Sequence, residues 1–306
     1  MKPFFVVNPH SANGATRQRF LEAEPLIRAV YPAMRCAFTA APLHATELAE
    51  RAARDGADVV IAVGGDGTLN EVAGGLLASG RAAETALAML ASGTGGDFRR
   101  VAGFPREPEK MAAFLGEAVR RPIDWGMLDY VDQNGKECQR PFVNIASLGI
   151  SGVVDKFVNA TSKALGGRVS FLAGTVRGML AFKNVPMRVT VDGNMFHEGP
   201  TNLVAIANGQ YFGGGMRVAP DAKLDDGLFD VVVFEDLSKI EFLALASVIY
   251  GGRHLGRPKV RVTRGTVVVV EAVGDALIDL DGEQVGRAPA RATMHAGGLV
   301  ALMPRE

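Results

Sequence analysis

The sequence predicts an α/β N-terminal domain on a parallel sheet, followed by a β-rich second domain of sandwich or barrel-like form. Three observations carry this: the length, alternating strand and helix patterns as far as Pro122, and closely spaced strand patterns beyond it. A chain of 306 residues exceeds what one hydrophobic core usually serves. Domains over 1–122 and 123–306 are therefore expected, with the C-terminal end free to return to the first. Lys plus Arg and Asp plus Glu number 33 each, so no net field draws a nucleic acid. Cys36 and Cys138 lack disulfide or zinc spacing and suit a reducing cytoplasm. The apolar run in MKPFFVVNPHSANG is too short for a secretory signal, and no segment approaches the roughly 18 apolar residues of a membrane span. A soluble chain is the expectation.

The elements follow in order. FFVVN leads into a helix pattern over Ala15–Val30, MRCAFT into Leu43–Asp55, and DVVIAVG into Gly67–Ser79. ALAML leads into a loop and then Pro108–Val119. Apolar runs alternating with helices make βαβ units, hence a parallel sheet covered on both faces. Ligands of such sheets bind at the carboxyl ends of the strands. After Pro122 come IDWGMLDYV, PFVNIASLGI, MRVTVDG, TNLVAIANG, LFDVVVF, KVRVT, TVVVVEAV, ALIDLDGE and GLVALMP, interrupted by helix patterns at Leu165–Lys183 and Ser238–Tyr250.

Three strand ends carry small-residue turns. In GGDGT, Gly64, Gly65 and Gly67 let the backbone approach a ligand, and the following helix offers N–H groups to an anion. Asp66 would repel a bare phosphate, so it makes sense with a divalent cation or a hydroxyl between them. A tight strand-to-helix turn capped by Asp66 explains the same residues without any ligand. NPHSANG places Asn8, Ser11, Asn13 and Gly14 after the first strand, and SGTGGDF places Thr94 and Asp97 after the fourth. Three such turns at one end of a sheet favour a nucleotide with its metal.

In NPHSANG, GGDGTLNEV, SGTGGDF, NGQYFGGGMRVAPDAKLDDGLFDV and DLDGE the chain resembles the diacylglycerol kinase catalytic-domain family of bacterial lipid kinases, to which sphingosine kinases are related. These motifs stand in the family's order over nearly the whole chain. The resemblance implies a first domain like that of NAD kinases and phosphofructokinases, and ATP-dependent transfer of the γ-phosphoryl to a lipid hydroxyl. It puts the ATP site on Asn8, Pro9, His10, Ser11, Ala12, Thr39, Gly64, Gly65, Asp66, Gly67, Thr68, Asn70, Glu71 and Thr94. It implies that Asp66 holds the catalytic Mg²⁺, directly or through water, with Asp97 and Asp124 in the surrounding network. Glu283 matches the general base, reaching across from the second domain, although Asp-Gly in DLDGE is also an ordinary hairpin turn. Within PDAKLDDGLFD the family places a structural Mg²⁺, for which Asp226 and the Leu228 carbonyl match best, with either Asp225 compensating for Lys223 or Lys223 satisfying the site internally. Lys223 stands where some members have an acid, and Gly96 where the family usually has asparagine.

Between Asp155 and Asp192 there is no acid, while Lys156, Lys163, Arg168, Arg177, Lys183 and Arg188 alternate with apolar residues. Such a segment suits an anionic lipid surface, and equally a helix packed on a sheet. Arg168 matches a family position that is usually basic, near the transferred phosphate, which makes it a candidate transition-state stabiliser. The lipid partner implies a cytoplasmic chain working at the inner membrane surface, with a homodimer left open. Two further functions stand beside this one: a kinase of a soluble metabolite such as NAD, and a nucleotide-binding regulator without turnover.

Overall fold

The computed structural model describes residues 1–92, 96–154, 178 and 181–305. It divides into two compact units, Met1–Asp124 with Gly297–Glu306, and Trp125–Ala296.

The first unit is built on β1 (Pro3–Val7), β2 (Arg35–Phe38), β3 (Val59–Gly64) and β4 (Ala86–Ala91), paired in parallel in the order β4-β3-β1-β2. The end of the long strand β15 (Glu283–Met303) lies parallel beside β4, with Ala301 opposite Leu87. Strands covered on both faces read as unbroken apolar runs. The VVIAVG of β3 is accordingly buried along its whole length. Helices α1 (Ala15–Val30), α2 (His44–Arg54), α3 (Asp66–Ala78) and α5 (Pro108–Glu117) lie within two residues of their sequence expectations. Helix α4 (Asp97–Ala102) was expected as loop. Its buried Phe98 and Ala102 are too few to show a helical period, and glycines precede it.

The second unit is antiparallel. β12 (Val260–Gly265), β11 (Phe229–Phe234), β10 (Leu203–Ala207), β7 (Ile145–Gly149) and β14 (Leu277–Leu280) run side by side to β15. β15 also pairs with β13 (Val267–Ala272), which pairs with β8 (Val185–Val191) and through it with β9 (Asn194–Thr201). β5 (Val119–Val131) enters this unit after Asp124 and pairs with β6 (Glu137–Phe142). The side-chain period of two divides the core into two layers. Val204, Ile206, Phe229, Val231 and Val233 face the layer built with β8, β13 and β14. Leu203, Ala205, Val232 and Phe234 face a second layer, closed by Leu245 and Ile249 of helix α6 (Lys239–Ile249). Ser238 starts α6 with a capping box, its Oγ accepting the Glu241 N–H while Glu241 Oε2 accepts the Ser238 N–H.

The helix expected over Leu165–Lys183 lies mostly outside the described residues. Among the described residues no helix is long and apolar enough to cross a membrane. Cys36 and Cys138 are free thiols.

Helices α2 and α3 meet backbone to backbone. α2 buries Ala45, Ala49, Ala52 and Ala53, and a Cβ on Gly75 of α3 would run into the Thr46 carbonyl and come within 2.8 Å of Ala49 Cβ. Gly75→Ala should therefore destabilise the fold by about 1–3 kcal/mol, as overpacking does. Thermal unfolding checks it, and an unchanged melting temperature would contradict the packing described.

Candidate functional site

In the first unit the turns after β1, β3 and β4 are bonded into one constellation. Asn8 Nδ2 donates to Thr68 Oγ1 at 3.1 Å, joining the first turn to the start of α3. Thr16 Oγ1 donates to Ser92 Oγ at 2.7 Å, joining it to the turn after β4. Asp66 makes the third tie: its Oδ2 accepts the N–H groups of Gly96 (2.8 Å) and Asp97 (3.1 Å), and its Oδ1 that of Phe98 (3.2 Å). A carboxylate is well suited to unsatisfied N–H groups at a helix start.

The glycines divide into two roles. A Cβ on Gly64 would come within 2.9 Å of Thr68 Cβ, so Gly64 serves the turn itself. A Cβ on Gly65 would meet nothing within 4 Å, which leaves that backbone face uncovered. Gly65 is also the N-cap of α3, where no side chain caps the helix. The turn before α1 holds Ala12, Asn13 and Gly14 at φ values of 52°, 57° and 87°. Left-handed geometry at a residue with a Cβ is unfavourable by roughly 1–2 kcal/mol, and such strain concentrates at functional turns. At Gly96, φ is +100° and the N–H goes to Asp66, so the residue standing in place of the family's asparagine contributes backbone.

Other expected residues have local duties. The His10 N–H donates to Asn8 Oδ1 (3.0 Å) and Ser11 Oγ to the Asn8 carbonyl (2.9 Å), which closes the turn around Pro9. The Thr39 N–H donates to the Val7 carbonyl at 2.9 Å, beside the first turn. Glu71 Oε2 accepts the Ala45 N–H in the first turn of α2 (3.1 Å), and Asn70 is buried. Asp97 and Asp124 are buried, Asp97 bonded to Arg100 and Asp124 to the Gly297 N–H at 2.7 Å. Thr94 and Arg168 lie outside the described residues, as does most of 156–188. Of that segment's cations, Arg188 lies in β8 and is paired with Glu198 at 2.7 Å.

In the second unit DLDGE forms the β14–β15 hairpin, with Asp281 and Gly282 both at positive φ. The Asp281 carboxylate is buried and accepts the N–H groups of Val143, Asn144 and Ile145 at 2.9–3.1 Å, fixing the hairpin to the β6–β7 corner. The Asn144 carbonyl accepts from Asn208 and Gly209, so the NGQYFGGG segment starts at the same corner. Glu283 follows the turn, half-exposed, with Oε2 held by Arg140 at 2.7 Å. Arg140 is a partner of Glu283 that sequence reading missed, since nothing local marks a partner 143 positions away.

The loop of the expected structural Mg²⁺ places Asp226 beside Leu228. Asp225 is exposed, and the Leu228 N–H is bonded to Asp226 Oδ1 (3.2 Å). No group of three or more ligating His, Cys, Asp or Glu side chains occurs among the described residues. A guanidinium stands beside the same loop: Arg264 reaches Asp230 Oδ1 with Nε (3.2 Å), Asp226 Oδ2 with Nη1 (3.7 Å) and the Asp221 carbonyl with Nη2 (2.9 Å). Asp230 needs that cation, because burial pushes its carboxyl pKa up and Arg264 opposes the shift.

Arg264→Gln should thus destabilise the chain by about 2 kcal/mol, less than a fully buried pair because Arg264 is partly exposed. Chelation of divalent ions, followed by calorimetry, tests the expected metal: a fall in the wild-type melting temperature would support an ion in this loop, and an unchanged value would leave the cluster to Arg264.

Comparisons with known proteins agree with this layout. A diacylglycerol kinase catalytic domain model matches residues 2–128, and a model of the YegS C-terminal NAD kinase beta sandwich-like domain matches 144–303. A diacylglycerol kinase of Bacillus subtilis (strain 168) is 30% identical over 263 residues, covering 86% of this chain and 83% of the relative. One from Staphylococcus aureus (strain Newman) is 29% identical over 246 residues, covering 80% and 74%. The crystal structure of a diacylglycerol kinase from Bacillus anthracis strain Sterne aligns with a TM-score of 0.75 at 24% identity, over 99% of this chain and 96% of that one. Yeast NADH kinase complexed with NADH shares the fold more distantly, with a TM-score of 0.55 at 11% identity over 100% and 84% of the two chains. The chain therefore belongs to the diacylglycerol kinase catalytic-domain family, with a second domain of the NAD kinase β-sandwich type.

Proposed function

We propose that the chain transfers the γ-phosphoryl group of ATP to a hydroxyl of diacylglycerol or a related lipid at the inner surface of a membrane. The observation that carries it is the bonding of three small-residue turns at one end of a parallel sheet, beside the uncovered backbone of Gly65. The N-terminus of α3 and its glycines suit phosphate oxygens. Asn8 to Ala12, Thr39 and Gly64 to Thr68 make up the nucleotide site in this proposal. The relatives' shared name, diacylglycerol kinase, supports the lipid acceptor.

A triphosphate brings most of the ligands for its own Mg²⁺, which usually takes one or two protein carboxylates besides. The residues present fit that need: a carboxylate has about four lone-pair sites, and three N–H groups on Asp66 leave room for one more donor interaction. Asp66 would hold the ion, with Asp97 and Asp124 in support, and the ion would neutralise charge on the phosphates. The lipid oxygen bonds to the γ-phosphorus while the bond to the β–γ bridging oxygen breaks and ADP leaves. The hydroxyl proton passes to Glu283, whose carboxylate Arg140 orients through Oε2.

Incubation with γ-labelled ATP, Mg²⁺ and total membrane lipid should give a labelled lipid and leave NAD unlabelled. Label on NAD alone, or ATP binding with no labelled product, would replace this function by one of its two rivals. Glu283→Gln should lower turnover by about a hundredfold or more without changing ATP affinity. Full turnover in that variant removes Glu283 from the role of base.

A further inference from the structure

Helix α6 is apolar on both faces, although one face meets solvent. Leu245 and Ile249 are buried in the second layer of the core. On the opposite side Ile240 is 80% exposed, Leu243 58% and Tyr250, continuing the helix at its C-cap, 57%. Ala244 and Ser247 are exposed between them. At 3.6 residues per turn these five positions fall within an arc of about 120°. A helix that is apolar all round is normally covered all round.

Charge indicates what covers it. From Phe242 to Val270 the chain has no aspartate or glutamate, and it carries Arg253, Arg257, Lys259, Arg261 and Arg264. Three of these are matched within the protein: Lys259 by Glu241, Arg261 by Glu235, and Arg264 by Asp226 and Asp230. Arg253 and Arg257 are exposed and make no ion pair among the described residues. Both lie in the turn just after Tyr250, which folds back on the helix as the Arg253 N–H donates to the Val248 carbonyl at 3.1 Å. An apolar strip bordered by cations is complementary to an anionic bilayer, where apolar side chains enter the acyl boundary and cations sit at the phosphates. A second copy on a twofold axis would set this same patch against itself and bring its arginines together.

We propose that the exposed face of α6, with Ile240, Leu243 and Tyr250 flanked by Arg253 and Arg257, is the surface by which the chain docks on an anionic membrane. The choice of a lipid surface rests on the function proposed above, but docking needs neither ATP nor turnover and is measured without them.

The test is co-sedimentation of the full chain with vesicles of phosphatidylglycerol and phosphatidylcholine in equal parts, against phosphatidylcholine alone. The wild type should pellet with the anionic vesicles, and Ile240→Ser/Leu243→Ser/Tyr250→Ser should lose at least about tenfold in partitioning. Arg253→Gln/Arg257→Gln should lose roughly thirtyfold, at about fivefold per cation, and the loss should be mimicked by high salt. Melting temperatures identify variants that remain folded. Folded variants that pellet like the wild type overturn the proposal. So does a wild-type dimer, seen by light scattering, that the triple serine variant abolishes, because the face then belongs to a second copy. Vesicle binding by a chain that labels no lipid would keep this surface and remove the kinase function, so the two failures are distinguishable.

Discussion

The Asp66 carboxylate, accepting three backbone N–H groups at the start of α4, is the tie on which the first unit's site depends. Parallel strands bring their carboxyl ends to one edge of a sheet, but the turns beyond them are independent until something joins them. Asp66 links the turn after β3 to the helix after β4, and hydrogen bonds from Asn8 and Thr16 bring in the turn after β1. Bonds of this kind hold the described residues of the three strand ends in place, and a preorganised site loses less entropy on binding a flexible triphosphate. The left-handed residues of the first turn fit the same picture, since strain of that kind persists only where neighbours hold the backbone in place.

The second unit uses the same device for another purpose. Asp281, buried at the tip of its hairpin, accepts three N–H groups from the β6–β7 corner and so fixes where the next residue but one, Glu283, begins its strand. Arg140 then fixes the carboxylate itself. In β11, all of whose residues are buried, Asp230 accepts no such amides among the described residues, and Arg264 from the neighbouring strand supplies the charge. The buried acids among the described residues are thus tied to backbone N–H groups or to an arginine, as burial of charge demands.

Much of this was legible in the sequence. The βαβ alternation fixed the parallel sheet, and α1 runs over the residues its apolar period marks. Three turns rich in glycine and small polar residues marked the strand ends that meet, and DLDGE is both a hairpin and the carrier of Glu283. What escaped was whatever depends on distant partners. The cluster of Arg264 with Asp226 and Asp230 left no local mark, since Arg264 lies a strand away. The bond of Glu71 to the first turn of α2 was equally hidden, since its partner lies on another helix. The two-sided character of α6 was hidden for a related reason: an apolar pattern says that residues avoid water, not which of them the core can hold.

The central claim, that the turns after β1, β3 and β4 form one nucleotide site, is tested most directly by amide hydrogen exchange of the full chain with and without Mg²⁺ and a non-hydrolysable ATP analogue. Slowed exchange across residues 8–14, 65–69 and 92–98 together, rising over one concentration range, is the predicted result. Protection confined to a single turn, or located elsewhere in the chain, would contradict it.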